Sequence, residues 1–179
     1  MKKILSVAMI ALFSLAISGC GDDSVAADDP HHDNFIPELQ VFDLVDSYGT
    51  DTARPGHPPL ALTPYLYDGV FDVYWEVDSL EDYTVTLSIN DRPTLTNSLV
   101  IHSQVCGEGR RCDQGGNWIC ELTEDPVTTD PYMSCDGSVF QQNIYPLIVK
   151  YPQQVYLFME ICDTNSNYCE YDYYPVTLE

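Results

Sequence analysis

The chain has 179 residues, with 28 Asp and Glu against 7 Lys and Arg, a formal charge of −21. A surface that negative repels phosphate backbones and anionic headgroups, which excludes nucleic-acid binding and disfavours peripheral membrane adhesion; it suits a divalent cation, a basic partner or solubility alone. The length fits one domain of ordinary size with a real hydrophobic core.

Met1-Lys2-Lys3 gives a positive start, Ile4 to Ile17 an apolar run of about 14 residues, and Ile17-Ser18-Gly19-Cys20 a small-residue site ending in cysteine. The run is shorter than the roughly 20 residues a spanning helix needs, and Asp22 and Asp23 follow at once. This arrangement resembles the signal peptide and lipobox of bacterial lipoproteins. The resemblance implies cleavage after residue 19, acylation of Cys20 on its thiol and its new amino group, and a protein tied to a membrane of the cell envelope through that lipid. Gly21 stands where many Gram-negative lipoproteins carry the Asp of inner-membrane retention, which favours the outer membrane and leaves the side of it open. The processed chain would keep all 28 acids but only Arg54, Arg92, Arg110, Arg111 and Lys150, a formal charge of about −23.

Residues 20–38 are rich in Asp, Ala and Gly, hold Pro30 and Pro37, and show no periodic apolar pattern. They read as an acidic flexible tether. As a coil it spans on the order of 24 Å, and about 60 Å at full stretch.

From residue 39 the pattern has period two. Phe71, Val73, Trp75 and Val77 alternate with Asp72, Tyr74, Glu76 and Asp78; Tyr83, Val85, Leu87 and Ile89 alternate with Thr84, Thr86, Ser88 and Asn90. These are two half-buried strands separated by the turn-forming Asp78-Ser79-Leu80-Glu81-Asp82. Leu99, Ile101 and Val105, and then Val155, Leu157, Met159 and Ile161, repeat the alternation. Further strands are expected near Glu38–Tyr48 and Tyr168–Leu178, about seven in all. No stretch of 39–179 offers an apolar stripe of helical period, so the fold class is all-β, a two-sheet antiparallel sandwich.

Val73-Tyr74-Trp75-Glu76-Val77 as a second strand with a buried tryptophan, the strand Tyr83 to Ile89 and the closing hairpin Val155 to Leu178 together resemble a fibronectin type III or related immunoglobulin-like domain. The segment from Cys106 to Cys135 departs from that pattern. It reads as a disulfide-stapled insertion outside the core, because Gly107, Gly109, Gly115, Gly116, Pro126 and Pro131 punctuate it and Trp118, Ile119 and Leu122 are its only apolar cluster. The departure also puts a fifth strand somewhere in Val139–Tyr151.

Apart from Cys20, six cysteines remain: Cys106, Cys112, Cys120, Cys135, Cys162 and Cys169. An even number suits three disulfides in an oxidising compartment, and no Cys-x-x-Cys pair points to zinc. Cys162 and Cys169 flank the tip of the last hairpin and are expected to pair. Cys106 with Cys112 across a glycine-rich loop leaves Cys120 with Cys135; Cys106 with Cys120 and Cys112 with Cys135 is the rival pattern.

Chemistry-bearing motifs are sparse. His31-His32-Asp33 offers metal-type ligands on a segment that fixes no geometry. Asp163, Asn165 and Asn167 imitate the start of a calcium loop, but Tyr168 stands where its glycine belongs and Tyr174 where its Glu belongs, so the segment reads as a hairpin tip. No nucleophile elbow, metalloprotease pair or phosphate loop occurs, and His102, opposite in phase to Ile101, reads as a solvent-facing or edge histidine. The expectation is therefore a non-enzymatic binding or structural module with no cofactor and no resident metal. Its partner would be another envelope protein or a glycan, contacted by Arg110, Arg111 and Trp118 in the insertion. The alternative is a calcium-dependent binder or a hydrolase that uses clustered carboxylates.

Overall fold

The computed structural model describes residues 37–49, 58–79, 81–110, 112–166 and 168–179, without the side chains of 66 and 67. The expected signal peptide, Cys20, His31-His32-Asp33, most of the expected tether and Arg111 lie outside the described residues. Ten strands form: β1 (Glu38–Asp46), β2 (Leu60–Leu62), β3 (Val70–Asp78), β4 (Tyr83–Asn90), β5 (Leu99–Cys106), β6 (Gly115–Glu124), β7 (Pro131–Cys135), β8 (Gln142–Asn143), β9 (Gln153–Asp163) and β10 (Cys169–Leu178). Only two short 3-10 turns, Leu66–Gly69 and Tyr145–Leu147, interrupt them, and among the described residues no helix is long and apolar enough to cross a membrane.

The strands make two five-stranded sheets, ordered β1-β3-β6-β7-β8 and β2-β10-β9-β4-β5. Every pairing is antiparallel except β2 with β10. The all-β two-sheet sandwich follows directly from the alternation. Phe71, Val73, Trp75 and Val77 of β3 turn inward against Tyr83, Val85, Leu87 and Ile89 of β4 and Val155, Leu157, Met159 and Ile161 of β9, and all are buried. β3 and β4 lie in different sheets, so the connection after Asp78 carries the chain from one layer to the other.

The segment 106–135 is stapled by disulfides, but it is not an appendage. β6 pairs with β3 over seven residues and sits inside its sheet, and β7 continues that sheet beyond it. Trp118, Cys120, Leu122 and Met133 are buried in the shared core. The glycines that read as loop punctuation have a packing purpose: a Cβ on Gly116 would lie 2.7 Å from Cζ2 of Trp75, and one on Gly115, whose φ is +138°, would overlap the Trp75 carbonyl. Glycine there lets β6 close on β3 beneath a large indole.

β5 differs from its simple alternation. Leu87 pairs with His102 and Ser88 with Val100, so Ile101 is an extra residue in a bulge. A bulge reverses the phase of everything beyond it. Ile101 and His102 thus both turn inward, His102 against Trp118, while Val105 is 44% exposed on the outer face. Residues 139–151 give only the two-residue β8 and a 3-10 turn; Pro146 cannot donate to a ladder there, nor can Pro152 just beyond.

Trp75→Ala should cost roughly 3–5 kcal/mol, read as a lower midpoint in denaturant titration. Replacing residues 106–135 by a short Gly-Ser linker removes β6 and β7 and should abolish the cooperative transition; a linker variant that unfolds cooperatively would return the segment to the periphery.

Candidate functional site

The three disulfides are Cys106–Cys112, Cys120–Cys135 and Cys162–Cys169, each between consecutive cysteines. Cys120 faces Cys135 across β6 and β7, and Cys162 faces Cys169 across β9 and β10. The first bridge closes a tight loop that β4 and β5 hold from below: Tyr83 Oη donates to the Cys112 carbonyl at 2.9 Å and Gln104 Nε2 to Cys112 Sγ at 3.2 Å. Burial pushes the Tyr83 phenol above its ordinary value, with Asp113 acting in the same direction and the Trp75 indole against it. The first two bridges are buried; Cys162 is half-buried and Cys169 exposed.

Of the expected contact residues Arg110, Arg111 and Trp118, Arg111 lies outside the described residues, and the other two are engaged within the domain. Trp118 is 1% exposed, tilted against Trp75 with ring centroids 4.4 Å apart, and its Nε1 donates to Gln104 Oε1 at 3.1 Å. A ring in that position anchors the core and has no face for a partner. Arg110 reaches back to Asp82, Nη2 to Oδ2 at 2.8 Å, and clips the Cys106–Cys112 loop to the start of β4. The guanidinium holds the Asp82 carboxyl below the usual range. Both side chains are solvated, so the pair positions the loop with little effect on stability. His102, reversed by the bulge, meets Trp118 edge-on at 4.7 Å, and burial lowers its pKa against an opposing pull from Asp136.

The hairpin tip holds itself together as a turn. Asp163 Oδ2 accepts from Ser166 N at 2.5 Å, and Ser166 together with the loop amides lowers its pKa. Thr164 Oγ1 donates to the Asp82 carbonyl at 2.9 Å, and Asn165 Nδ2 to Glu81 Oε2 at 3.0 Å, so the tip docks on the turn before β4. Asn167 lies outside the described residues. Among the described residues, the only three metal-type side chains with ligand atoms within 4.8 Å of one another are Glu160, Cys162 and Cys169. Both of those sulfurs are committed to their disulfide, which leaves a single carboxylate.

The remaining chemistry lies on the two broad outer faces. On the β9–β10 side, Tyr171 and Tyr173 cover Phe158, which is fully buried with ring centroids 5.3 Å from Tyr173 and 6.2 Å from Tyr171, and Tyr156 meets Tyr173 edge-on at 5.8 Å. Tyr174 instead turns inward against Phe42. The tyrosines thus form a self-packed aromatic cluster, as cross-strand neighbours on one face do. On the β1–β3–β6 side the register sets Val41 beside Glu76, Tyr74 beside Asn117, Asp72 beside Ile119, and Val70 beside Glu121. Val41, Tyr74 and Ile119 are 38%, 41% and 57% exposed there. Two shallow hollows of about 540 and 650 Å³ indent this face, one around Val70, Ile119, Glu121 and Asp136, the other around Val41, Tyr74, Glu76 and Asp113. The sequence shows these residues as the outward half of each alternation, but their grouping depends on which strands become neighbours.

No family model, curated protein or solved structure matches the chain.

Two outcomes check the placement of these groups. Mild thiol reduction followed by alkylation should label Cys162 and Cys169 before the other four cysteines, read by peptide mass mapping, because only that bridge is open to solvent. His102 has a folded pKa below its unfolded value, so below about pH 6.5 the unfolded chain takes up the proton first and stability falls as pH drops toward the folded pKa. Denaturant titrations across that window should show the slope in the wild type and a flatter one in His102→Gln.

Proposed function

We propose that the chain is a lipid-anchored cell-envelope protein whose sandwich serves as a non-enzymatic binding or structural module. The carrying observation is where its chemistry sits: among the described residues, charged and aromatic side chains are spread over two broad outer faces of a stapled sandwich, and none converges in a deep cleft. Recognition by such a body is by surface, with rigidity limiting the entropy lost on contact. Three disulfides fit an oxidising compartment, and the Cys20 lipobox supplies both the export route and the anchor.

The immunoglobulin or fibronectin type III reading of the domain belongs to the same proposal. It is supported by the strand order β1-β3-β6 against β10-β9-β4-β5, which alternates the layers as such domains do, and by the buried Trp75. The β7 and β8 extension of the first sheet is a departure from that plan.

Cys20→Ser tests the anchor, since only that thiol can carry the thioether-linked lipid. The wild-type protein should incorporate a labelled fatty acid and sediment with membranes; the variant should lose the label and leave the membrane fraction. Labelling that survives the substitution would refute the assignment. Crosslinking in intact envelopes should then trap a reproducible protein or glycan neighbour, whereas turnover of a small substrate by the purified chain would overturn the non-enzymatic reading.

A further inference from the structure

We infer that the outer face of β1, β3 and β6 is a docking surface for an extended, basic polypeptide segment with apolar residues between its cations. This rests on the binding-module reading above and names the partner's chemistry. The face joins two features that a merely solvated sheet does not need together. Val41, Tyr74 and Ile119 leave apolar area open to water, and they alternate with Asp72, Glu76 and Glu121 in the register of the strands.

The two hollows repeat one composition. Each sets two apolar side chains beside two carboxylates: Val70 and Ile119 with Glu121 and Asp136, Val41 and Tyr74 with Glu76 and Asp113. A basic side chain with a long apolar stem matches that pairing, its methylenes on the apolar residues and its charge at the carboxylates. Tyr74 adds a ring for a guanidinium. The described cations are elsewhere: Arg110 is bound to Asp82, Arg92 lies beside Asp91, and Lys150 belongs to the connection between β8 and β9. Among the described residues no ion pair neutralises Glu76, Asp113 or Glu121.

Geometry selects an extended occupant. The hollows sit near Glu76 and near Val70, six residues apart on β3, which is about 20 Å at the rise of a strand. A segment lying along β3 therefore places cations in both hollows when they are about six positions apart. A second copy is disfavoured by like charge, −21 on each chain. Among the described residues a bare divalent cation finds no three carboxylates within 4.8 Å of one another.

The test uses the full chain and a fluorescent twelve-residue peptide alternating Arg and Val, with oligolysine of equal charge as the control, measured by anisotropy at low and physiological salt. The peptide should bind more tightly than oligolysine. Glu76→Lys with Glu121→Lys should weaken it at least tenfold, while Glu108→Lys with Asp172→Lys, the same charge change off this face, should weaken it less than threefold. Tyr74→Ser with Ile119→Ser should weaken the peptide severalfold and leave oligolysine unchanged. Unchanged far-ultraviolet spectra and melting of the variants secure the comparison. Equal losses from the two charge-reversal pairs, no effect of the apolar pair, or saturation of the face by calcium alone would each overturn the inference. If envelope crosslinks persist in the Glu76→Lys, Glu121→Lys protein, this face is wrong but the binding-module reading stands; if the wild type yields no crosslinked partner, that reading fails itself.

Discussion

The contact between Trp75 and Trp118 is the constraint on which the rest of this sandwich depends. Two indoles from adjacent strands of one sheet point into the same core, 4.4 Å apart at their centroids. Each buries area on the order of 150–250 Å², more than an ordinary pair of core positions accommodates. The room comes from Gly115 and Gly116, which lack the Cβ atoms that would strike Trp75. Around the rings the polar groups are placed accordingly: Gln104 accepts from Trp118, His102 stands edge-on to it, and Tyr83 reaches past it to Cys112.

The interior and the outer surface answer different demands. Inside, β3, β4, β6 and β9 supply a core closed by two buried disulfides. Outside, a chain with four times as many acids as bases carries its self-repulsion on the faces. Short disulfide rings, each worth roughly 2–3 kcal/mol in the chain-entropy picture, help to offset that repulsion. Both docks of the end loops on the turn before β4, Arg110 on Asp82 and Thr164 on the same residue's carbonyl, gather loose chain at one end of the sandwich and leave the sheet faces clear.

Where one physical effect governed a segment, the sequence was readable. β3 alternates without interruption because it has one face in the core, β9 does so except at Phe158, and all three cysteine pairs could be drawn from their spacing, with a rival pattern standing until the register of β6 and β7 set Cys120 against Cys135. β6 was obscured by its glycines, which look like a loop until Trp75 is seen to need the space; Trp118, Cys120 and Leu122 alternating with Ile119 and Glu121 was the signal of a strand. The bulge at Ile101 reversed His102 and Val105, and a one-residue insertion leaves no compositional trace. Trp118 misleads for the same reason as the insertion: a tryptophan flanked by glycines and arginines looks like a contact residue unless its strand is known to be central. The outward carboxylates were plain as letters, but the hollows they rim exist only after β3 and β6 become neighbours.

The six cysteines other than Cys20 pair strictly in the order in which they occur: Cys106 with Cys112, Cys120 with Cys135, Cys162 with Cys169. No ring encloses another, so the covalent topology is a string of small separate loops of 6, 15 and 7 residues' separation. A chain delivered N-terminus first to an oxidant presents each cysteine's proper partner before any later competitor has emerged. With Cys20 withheld from pairing, as its proposed acylation would do, oxidation in order of arrival gives the native pattern directly, without the reshuffling by thiolate attack that interleaved bridges require. Correct pairing is thus built into the order of the chain, and a dedicated disulfide isomerase has little left to correct.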